Sequence, residues 1–236
     1  MVDDEKVQDV PPPPGGPLDP QQKATITVVL ELLREERASV SSVTEPVRAW
    51  KVHVDDSLTG LEVPALAEAK RIADIGSGAG FPGLVLAVAL TNSQVDLIES
   101  VGRKCEFIQR AIGAAGIANA TVLNARSEEL ALTGRRDSYD AVTARAVGRL
   151  STLAELASPL LRENGVLVAW KGKRDAGEEQ QLERASDQLA MQLDRVLDVG
   201  TRAGSKHRHL YVLRKLGPTP GDLPRRPGMA KKRPPG

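Results

Sequence analysis

The chain has 236 residues, 41% hydrophobic and 27% charged, with a formal net charge of +1; that is long enough for an α/β domain with a sizeable core. Its one cysteine, Cys105, excludes an intrachain disulfide and a thiolate-rich zinc site, and aromatics at 3% argue against reading single-stranded bases on broad aromatic platforms. No apolar run is long enough for a membrane span and no basic start precedes an apolar core, so a cytoplasmic enzyme is expected, without a membrane partner.

Residues 1–18 are acidic and proline-rich, with Pro11 to Pro14 followed by Gly15, Gly16 and Pro17, and read as a disordered or extended arm. A helix is expected from Asp19 or Pro20 to about Arg37, with Ile26, Val29, Leu30 and Leu33 on one face. Residues 38–57 are less regular. A second helix fits Leu58 to Glu68, bent or broken at Pro64, so that residues 19–69 make a small helical cap.

From Arg71 strand and helix alternate. Strands are expected at Arg71–Ile75, Gln94–Ile98, Ala120–Asn124, Ala141–Ala144 and Val166–Trp170. Helices fall between them at Pro82–Ala89, Arg103–Ala114, near Glu128–Ala131 and at Leu150–Ser158. This alternation predicts an α/β fold, a mostly parallel sheet covered on both faces. After a charged helix at Glu178–Leu193 come two strand-like runs, Arg195–Thr201 and Arg208–Leu213. The five residues Arg202 to Lys206 between them are too few for a parallel crossover, so these strands should be antiparallel. The main domain then covers residues 70–216. Residues 217–236 hold six prolines and are expected as an extended surface tail without regular helix.

Charge is uneven despite the neutral total. From Arg214 onward the chain carries Arg214, Lys215, Arg225, Arg226, Lys231, Lys232 and Arg233 against Asp222 alone, which suits a polyanion or a solubilising tail.

Between the first strand and its helix lie Gly76, Gly78, Gly80 and Gly83. Such a turn brings backbone N–H groups against a small molecule at the carboxyl end of a sheet. The G-x-G-x-x-G spacing also fits a dinucleotide, so NAD stays in play. Asp74, at the strand tip, is a poor neighbour for pyrophosphate and a good one for a sulfonium or ammonium group, directly or through water. That favours S-adenosylmethionine. Glu99 ends the second strand, where an acid can accept both ribose hydroxyls. Ser127 and Glu128 follow the third strand and can meet an adenine edge, or simply cap a helix. Arg145, just beyond the fourth strand, can pair with a phosphate or steer a substrate, and Lys171 and Lys173 add charge at the same edge. His207 and His209 have no cysteine nearby and suggest no metal, and Cys105 reads as packing.

These segments resemble the glucose-inhibited division protein B family, bacterial methyltransferases of small-subunit ribosomal RNA. The resemblance runs over about residues 45–236. It is carried by His53-Val54-Asp55-Asp56-Ser57-Leu58, Ala73 to Gly83 with its Phe81-Pro82-Gly83 end, Glu99 to Phe107, Arg126-Ser127-Glu128-Glu129, Thr143-Ala144-Arg145-Ala146-Val147, Lys171-Gly172, and Leu223 to Gly228 with Lys231 to Pro234. It implies a class I S-adenosylmethionine-dependent (Rossmann-like) sheet with an antiparallel final hairpin. The implied reaction is methyl transfer to N7 of one guanine in 16S ribosomal RNA, leaving S-adenosylhomocysteine. Cofactor contacts would fall on Gly76, Phe81, Ser127, Glu128 and Arg145, with Glu99 at the ribose and Asp74, Gly78 and Gly80 in the same loop. Arg145 and His53 are the candidate catalytic residues, the first positioning guanosine or a phosphate, the second shaping the pocket or, ahead of Asp55 and Asp56, serving as a hydrogen-bonded structural residue. Lys171, Arg225, Arg226, Lys231, Lys232 and Arg233 are the candidate RNA contacts. The expected partner is 16S ribosomal RNA or the small subunit, met by a monomer. The chain departs from the family at Glu35-Glu36-Arg37 and Ser42-Val43-Thr44. A methyltransferase of a small molecule or protein, and a non-catalytic cofactor-binding regulator, are the competing readings.

Overall fold

Five short apolar runs set the centre of the fold. A computed structural model describes residues 18–36, 41, 43, 45–200, 205 and 207–236. It places β1 (Arg71–Ile75), β2 (Gln94–Glu99), β3 (Ala120–Asn124), β4 (Tyr139–Arg145) and β5 (Leu161–Lys171) parallel to one another, and β6 (Met191–Asp198) and β7 (His209–Lys215) antiparallel at one end, in the order β3-β2-β1-β4-β5-β7-β6. Side chains alternate between faces along a strand, so each strand feeds two cores. Ile72, Val95, Leu97, Val166, Val168 and Trp170 go to one core; Ala73, Ile75, Ile98, Val142, Leu167 and Ala169 go to the other.

α1 (Pro20–Glu35) starts as its sequence dictates. Asp19 Oδ1 accepts from the Gln22 amide at 2.7 Å and Gln22 Oε1 accepts from the Asp19 amide at 2.9 Å, with Pro20 at the first helical position. Ile26, Val29, Leu30 and Leu33 are buried, each stabilising by about 1.5–3 kcal/mol. They dock α1 on α5 (Gly83–Ala89) and α6 (Gly102–Ala115), the helices that follow β1 and β2. Leu18, assigned to the arm by composition, is buried in the same core. The rest of the expected arm, the Arg37 end of the first helix, Ser42, Thr44 and most of the Arg202–Lys206 link lie outside the described residues.

The cap differs from expectation. Where the sequence reads as irregular, α2 (Pro46–Ala49), a π-helical turn at Trp50–Asp55 and α3 (Asp56–Leu58) follow one another; a 3₁₀ turn at Thr59–Glu62 and α4 (Pro64–Ala67) complete it. Pro46, Pro64 and the mixed polar and apolar residues between them mask the helical period. Pro64 does break the second helix, as expected. Trp170 of β5 pins the cap by donating from Nε1 to the Asp56 carbonyl at 2.8 Å, and Gly60 lets it approach, since a Cβ there would lie 2.6 Å from the indole.

α7 (Ser127–Leu130) and α8 (Leu150–Ala157) follow β3 and β4. α9 (Ala176–Leu189) ends earlier than expected, at Ala190 with φ 50°, and β6 begins at Met191 rather than near Arg195. β6 is an edge strand with mostly solvated side chains, so no apolar run marks its start.

The C-terminal segment is not a free tail. Lys215 is fully buried, with Nζ 2.5 Å from both Asp137 Oδ1 and the Leu161 carbonyl, so it leaves the basic surface. Leu223 and Ala230 are buried, and α10 (Met229–Lys232) gives one helical turn packed on α8. Proline spacing alone suggests no regular helix, but a single turn fits between Pro227 and Pro234.

Candidate functional site

The strand order reverses between β1 and β4, where open α/β sheets bind ligands beyond the carboxyl ends of the strands. A cleft of about 480 Å³ lies there, with Ile75, Gly76, Ile98, Glu99, Ser127 and Glu128 on its walls. The glycine loop leaves β1 with positive φ at Gly76 (67°), Gly78 (62°) and Gly80 (91°), values that L side chains rarely adopt. A Cβ on Gly76 would also lie 2.7 Å from Val147.

Asp74 braces this loop from beneath. It is fully buried and is not among the cleft-lining residues; Oδ2 accepts from the Gly83 amide at 3.2 Å and Oδ1 from Thr143 Oγ1 at 2.9 Å. Asp74, expected beside a cation directly or through water, lies off the cleft wall and braces the backbone of the loop. Burial pushes its carboxyl up to about 6.

Glu99 stands at the cleft, its Oε2 accepting from the Gly78 amide at 3.0 Å and Oε1 from the Val101 amide at 2.9 Å. The carboxylate is thus held still and keeps lone pairs for further donors. Glu128 Oε1 accepts from the Gly228 amide at 2.9 Å, which brings the C-terminal segment to the cleft.

A second cluster forms where the cap meets the ends of β4 and β7. The His53 and Phe81 rings stack with centroids 4.6 Å apart, and the Arg145 guanidinium lies 5.9 Å from the Phe81 ring centre. Arg145 Nη1 donates to Asp56 Oδ2 at 2.9 Å and to the Val52 carbonyl at 3.0 Å; Nη2 donates to His53 Nδ1 at 3.3 Å. Arg208 Nε pairs with Asp56 Oδ1 at 2.7 Å. Asp56 thus holds two guanidiniums with its side chain only 2% exposed. Ala146, next to Arg145, has φ 60°, a conformation costing about 1–2 kcal/mol for a non-glycine residue; it turns the chain so that Val147 reaches Gly76.

The partners decide the state of His53. Arginine only donates, so Nδ1 is bare; the Val43 carbonyl, 3.2 Å from Nε2, only accepts, so Nε2 carries the proton. Burial, with Arg145 beside it, lowers the imidazole to about 4. His53 is neutral and hydrogen-bonded on both sides, unsuited to general base work near neutral pH.

This gives a pH signature. His53 unfolded takes its proton near 6.5 and folded near 4, so the unfolded state binds more protons in that window and His53's contribution is lost as pH falls through it. Asp74 opposes it: folded it titrates near 6 and unfolded near 3.8, so the cost of its buried charge is relieved as pH falls through that range. Replacing His53 with asparagine should remove the first effect alone, so the melting temperature of wild type, relative to His53→Asn, should fall as pH drops from 6.5 towards 4. Parallel melting curves over that range would show that His53 is not held neutral.

Several expected RNA contacts are engaged within the protein. Lys171 Nζ pairs with Glu178 at 2.8 Å and donates to the Gly148 carbonyl at 2.9 Å. Arg225 Nε donates to Glu155 Oε1 at 2.6 Å. Arg226, Lys231, Lys232 and Arg233 are exposed. Asp56, Arg208, Thr143 and Glu155 were not singled out from the sequence. Asp56 lay within the quoted His53–Leu58 segment, but nothing in that spacing says which of the two adjacent acids turns inward.

Comparison with known proteins agrees with this geometry. A family model described as rRNA small subunit methyltransferase G matches residues 26–211. The chain is 41% identical over 202 residues to the Ribosomal RNA small subunit methyltransferase G of Rubrobacter xylanophilus, covering 84% of this chain and 77% of that one. It is 33% identical over 226 residues to the protein of the same name from Moorella thermoacetica, covering 93% of each. Among solved structures, a SAM dependent methyltransferase from Aquifex aeolicus superposes with a TM-score of 0.52 at 14% identity, over 80% of this chain and 98% of that one. At that identity the likeness bears on the fold.

Proposed function

Because the chain belongs to the rRNA small subunit methyltransferase G family, we propose that it transfers a methyl group from S-adenosylmethionine to N7 of one guanine in 16S ribosomal RNA. The observation that carries this reading is the cleft at the strand-order reversal, where Gly76 of the glycine loop, Glu99, Ser127 and Glu128 converge. Its walls fit the cofactor. Ile75, Ile98, Val147 and Leu156 offer apolar surface to a base, Glu99 offers a carboxylate to vicinal hydroxyls, and Gly76 keeps the loop free of side-chain bulk. When bound, S-adenosylmethionine supplies a methyl group on a positively charged sulfur.

The remaining work falls to this chain's residues. Guanine N7 carries an in-plane lone pair and needs no deprotonation, which suits a neutral His53 whose proton is committed to Val43. Phe81, His53 and Arg145 form a stiff platform beside β1, since β4 pairs with β1 up to Ile75 and Ala144. Their task is to orient the acceptor, so proximity rather than proton transfer carries the rate. Arg226, Lys231, Lys232 and Arg233 would neutralise RNA phosphates, a contribution that weakens with salt. The partner is the small subunit or its RNA, met in the cytoplasm by a monomer; no described helix is long and apolar enough to cross a membrane.

The test incubates the protein and methyl-labelled cofactor with small subunits lacking the modification. Label is expected in the RNA. Label in protein or in a small molecule, or cofactor binding without transfer, would overturn the reading.

A further inference from the structure

The basic C-terminal segment invites a role in RNA binding alone, yet Gly228, Ala230, Lys231 and Lys232 line the same cleft as Glu99, Ser127 and Glu128. Four attachments hold the segment there. The Leu223 carbonyl accepts from Arg136 Nη1 at 2.9 Å. Arg225 forks onto Glu155 of α8, whose side chain is 3% exposed, with Nε 2.6 Å from Oε1 and Nη2 on Oε2. The Gly228 amide donates to Glu128 Oε1 at 2.9 Å, and the Ala230 carbonyl accepts from Thr152 Oγ1 at 3.1 Å. A forked arginine–carboxylate pair adds geometric specificity to its strength. Gly228 has φ 83°, which suits glycine and aims its amide at Glu128.

The position of the wall says what it would touch. It stands opposite the ends of β2 and β3, on the side of Glu99 and Ser127-Glu128 and away from the Phe81–His53–Arg145 cluster. We propose that residues 223–233 form the outer wall of the cofactor site at its adenosine end, so that this segment sets affinity for S-adenosyl compounds as well as meeting RNA. The proposal rests on the reading of the cleft as the cofactor site. Ala230 and the stems of Lys231 and Lys232 supply apolar cover for a base, while the two ammonium groups stay at the rim. Gly228, by fixing the Glu128 carboxylate, prepares an acceptor for an exocyclic amine.

Calorimetric titration with S-adenosylhomocysteine, which has no methyl group to transfer, tests this apart from activity. The full chain, full-length Gly228→Pro and Arg225→Ala, and a chain ending at Gly221 are compared. Proline at 228 removes the N–H and cannot adopt the observed φ. The full chain should bind, Gly228→Pro and the shortened chain should bind at least about tenfold more weakly, and Arg225→Ala should lie between. Adenosine alone should lose the same factor, because the wall stands at that end of the ligand. If the shortened chain fails to fold, Gly228→Pro carries the test. Kd values within about twofold of the full chain would overturn the wall, even if RNA affinity fell. No binding by the full chain would instead overturn the reading of the cleft.

Discussion

Asp56→Ala should lose about 3–5 kcal/mol of stability, the loss typical when one member of a buried ion pair is removed. Asp56 is an acceptor shared by Arg145 and Arg208, and its side chain is almost wholly buried. Its backbone carbonyl also receives the Trp170 indole N–H, so the same residue fixes cap to sheet by two routes. Without the carboxylate, two partly buried guanidiniums lose the acid they share, and the buried Asp74 carboxylate remains as a counter-charge to Arg145 alone. The Phe81–His53 platform loses its fixed Arg145, and turnover should fall by roughly a hundredfold, the scale of a misplaced catalytic surround. Denaturant unfolding at constant m-value measures the first effect and single-turnover methyl transfer the second. Asp56→Asn, similar in shape, should fall between wild type and alanine. An Asp56→Ala protein within about 1 kcal/mol of wild type would mean that the two arginines are held by something else.

Arg145→Ala is the second large effect, and it should separate two constants. Arg145 reaches the Val52 carbonyl, Asp56 and His53 with one guanidinium, while the cofactor cleft is lined by other residues. Turnover should therefore drop by roughly a hundredfold or more, whereas the Kd for S-adenosylhomocysteine should stay within about threefold. Arg145→Lys should not restore activity, because one ammonium group cannot span the three acceptors that the fork reaches. Equal losses in Kd and turnover would make Arg145 a cofactor-binding residue first. Near-normal turnover on intact ribosomal substrate would remove it from the site.

The sheet was legible because its apolar runs alternate with helical stretches along the chain. β1, β2, β4 and β5 each carry a buried hydrophobic run, and the short link to the last strand required an antiparallel pair. β6 was misplaced by about four residues because an edge strand keeps polar side chains and resembles the end of the preceding helix. Gly76, Glu99 and Ser127-Glu128 were legible as cleft residues because strand ends and chain direction fix where they lie. Asp74 was legible as an important acid, but its direction was not. Whether a carboxylate at a strand tip faces ligand or core depends on Thr143, 69 residues away, and on the Gly83 amide. The largest gap was the C-terminal segment. Its charge and prolines describe a solvated tail, while its docking rests on single contacts to distant residues such as Glu155, Thr152 and Glu128. Such contacts leave no periodic signal.

Methyl transfer to a guanine N7 is most directly tested by the chemistry of the product. N7-methylguanosine carries a positive ring and becomes open to reduction and strand scission, which unmodified guanosine resists. Undermethylated small subunits treated with the protein and S-adenosylmethionine, then with borohydride and aniline, should show scission of 16S ribosomal RNA at one guanine, absent when the cofactor or the protein is left out and nearly absent with Arg145→Ala. Methylation of that RNA without scission, placing the methyl on another base nitrogen or on ribose, would contradict the proposed reaction.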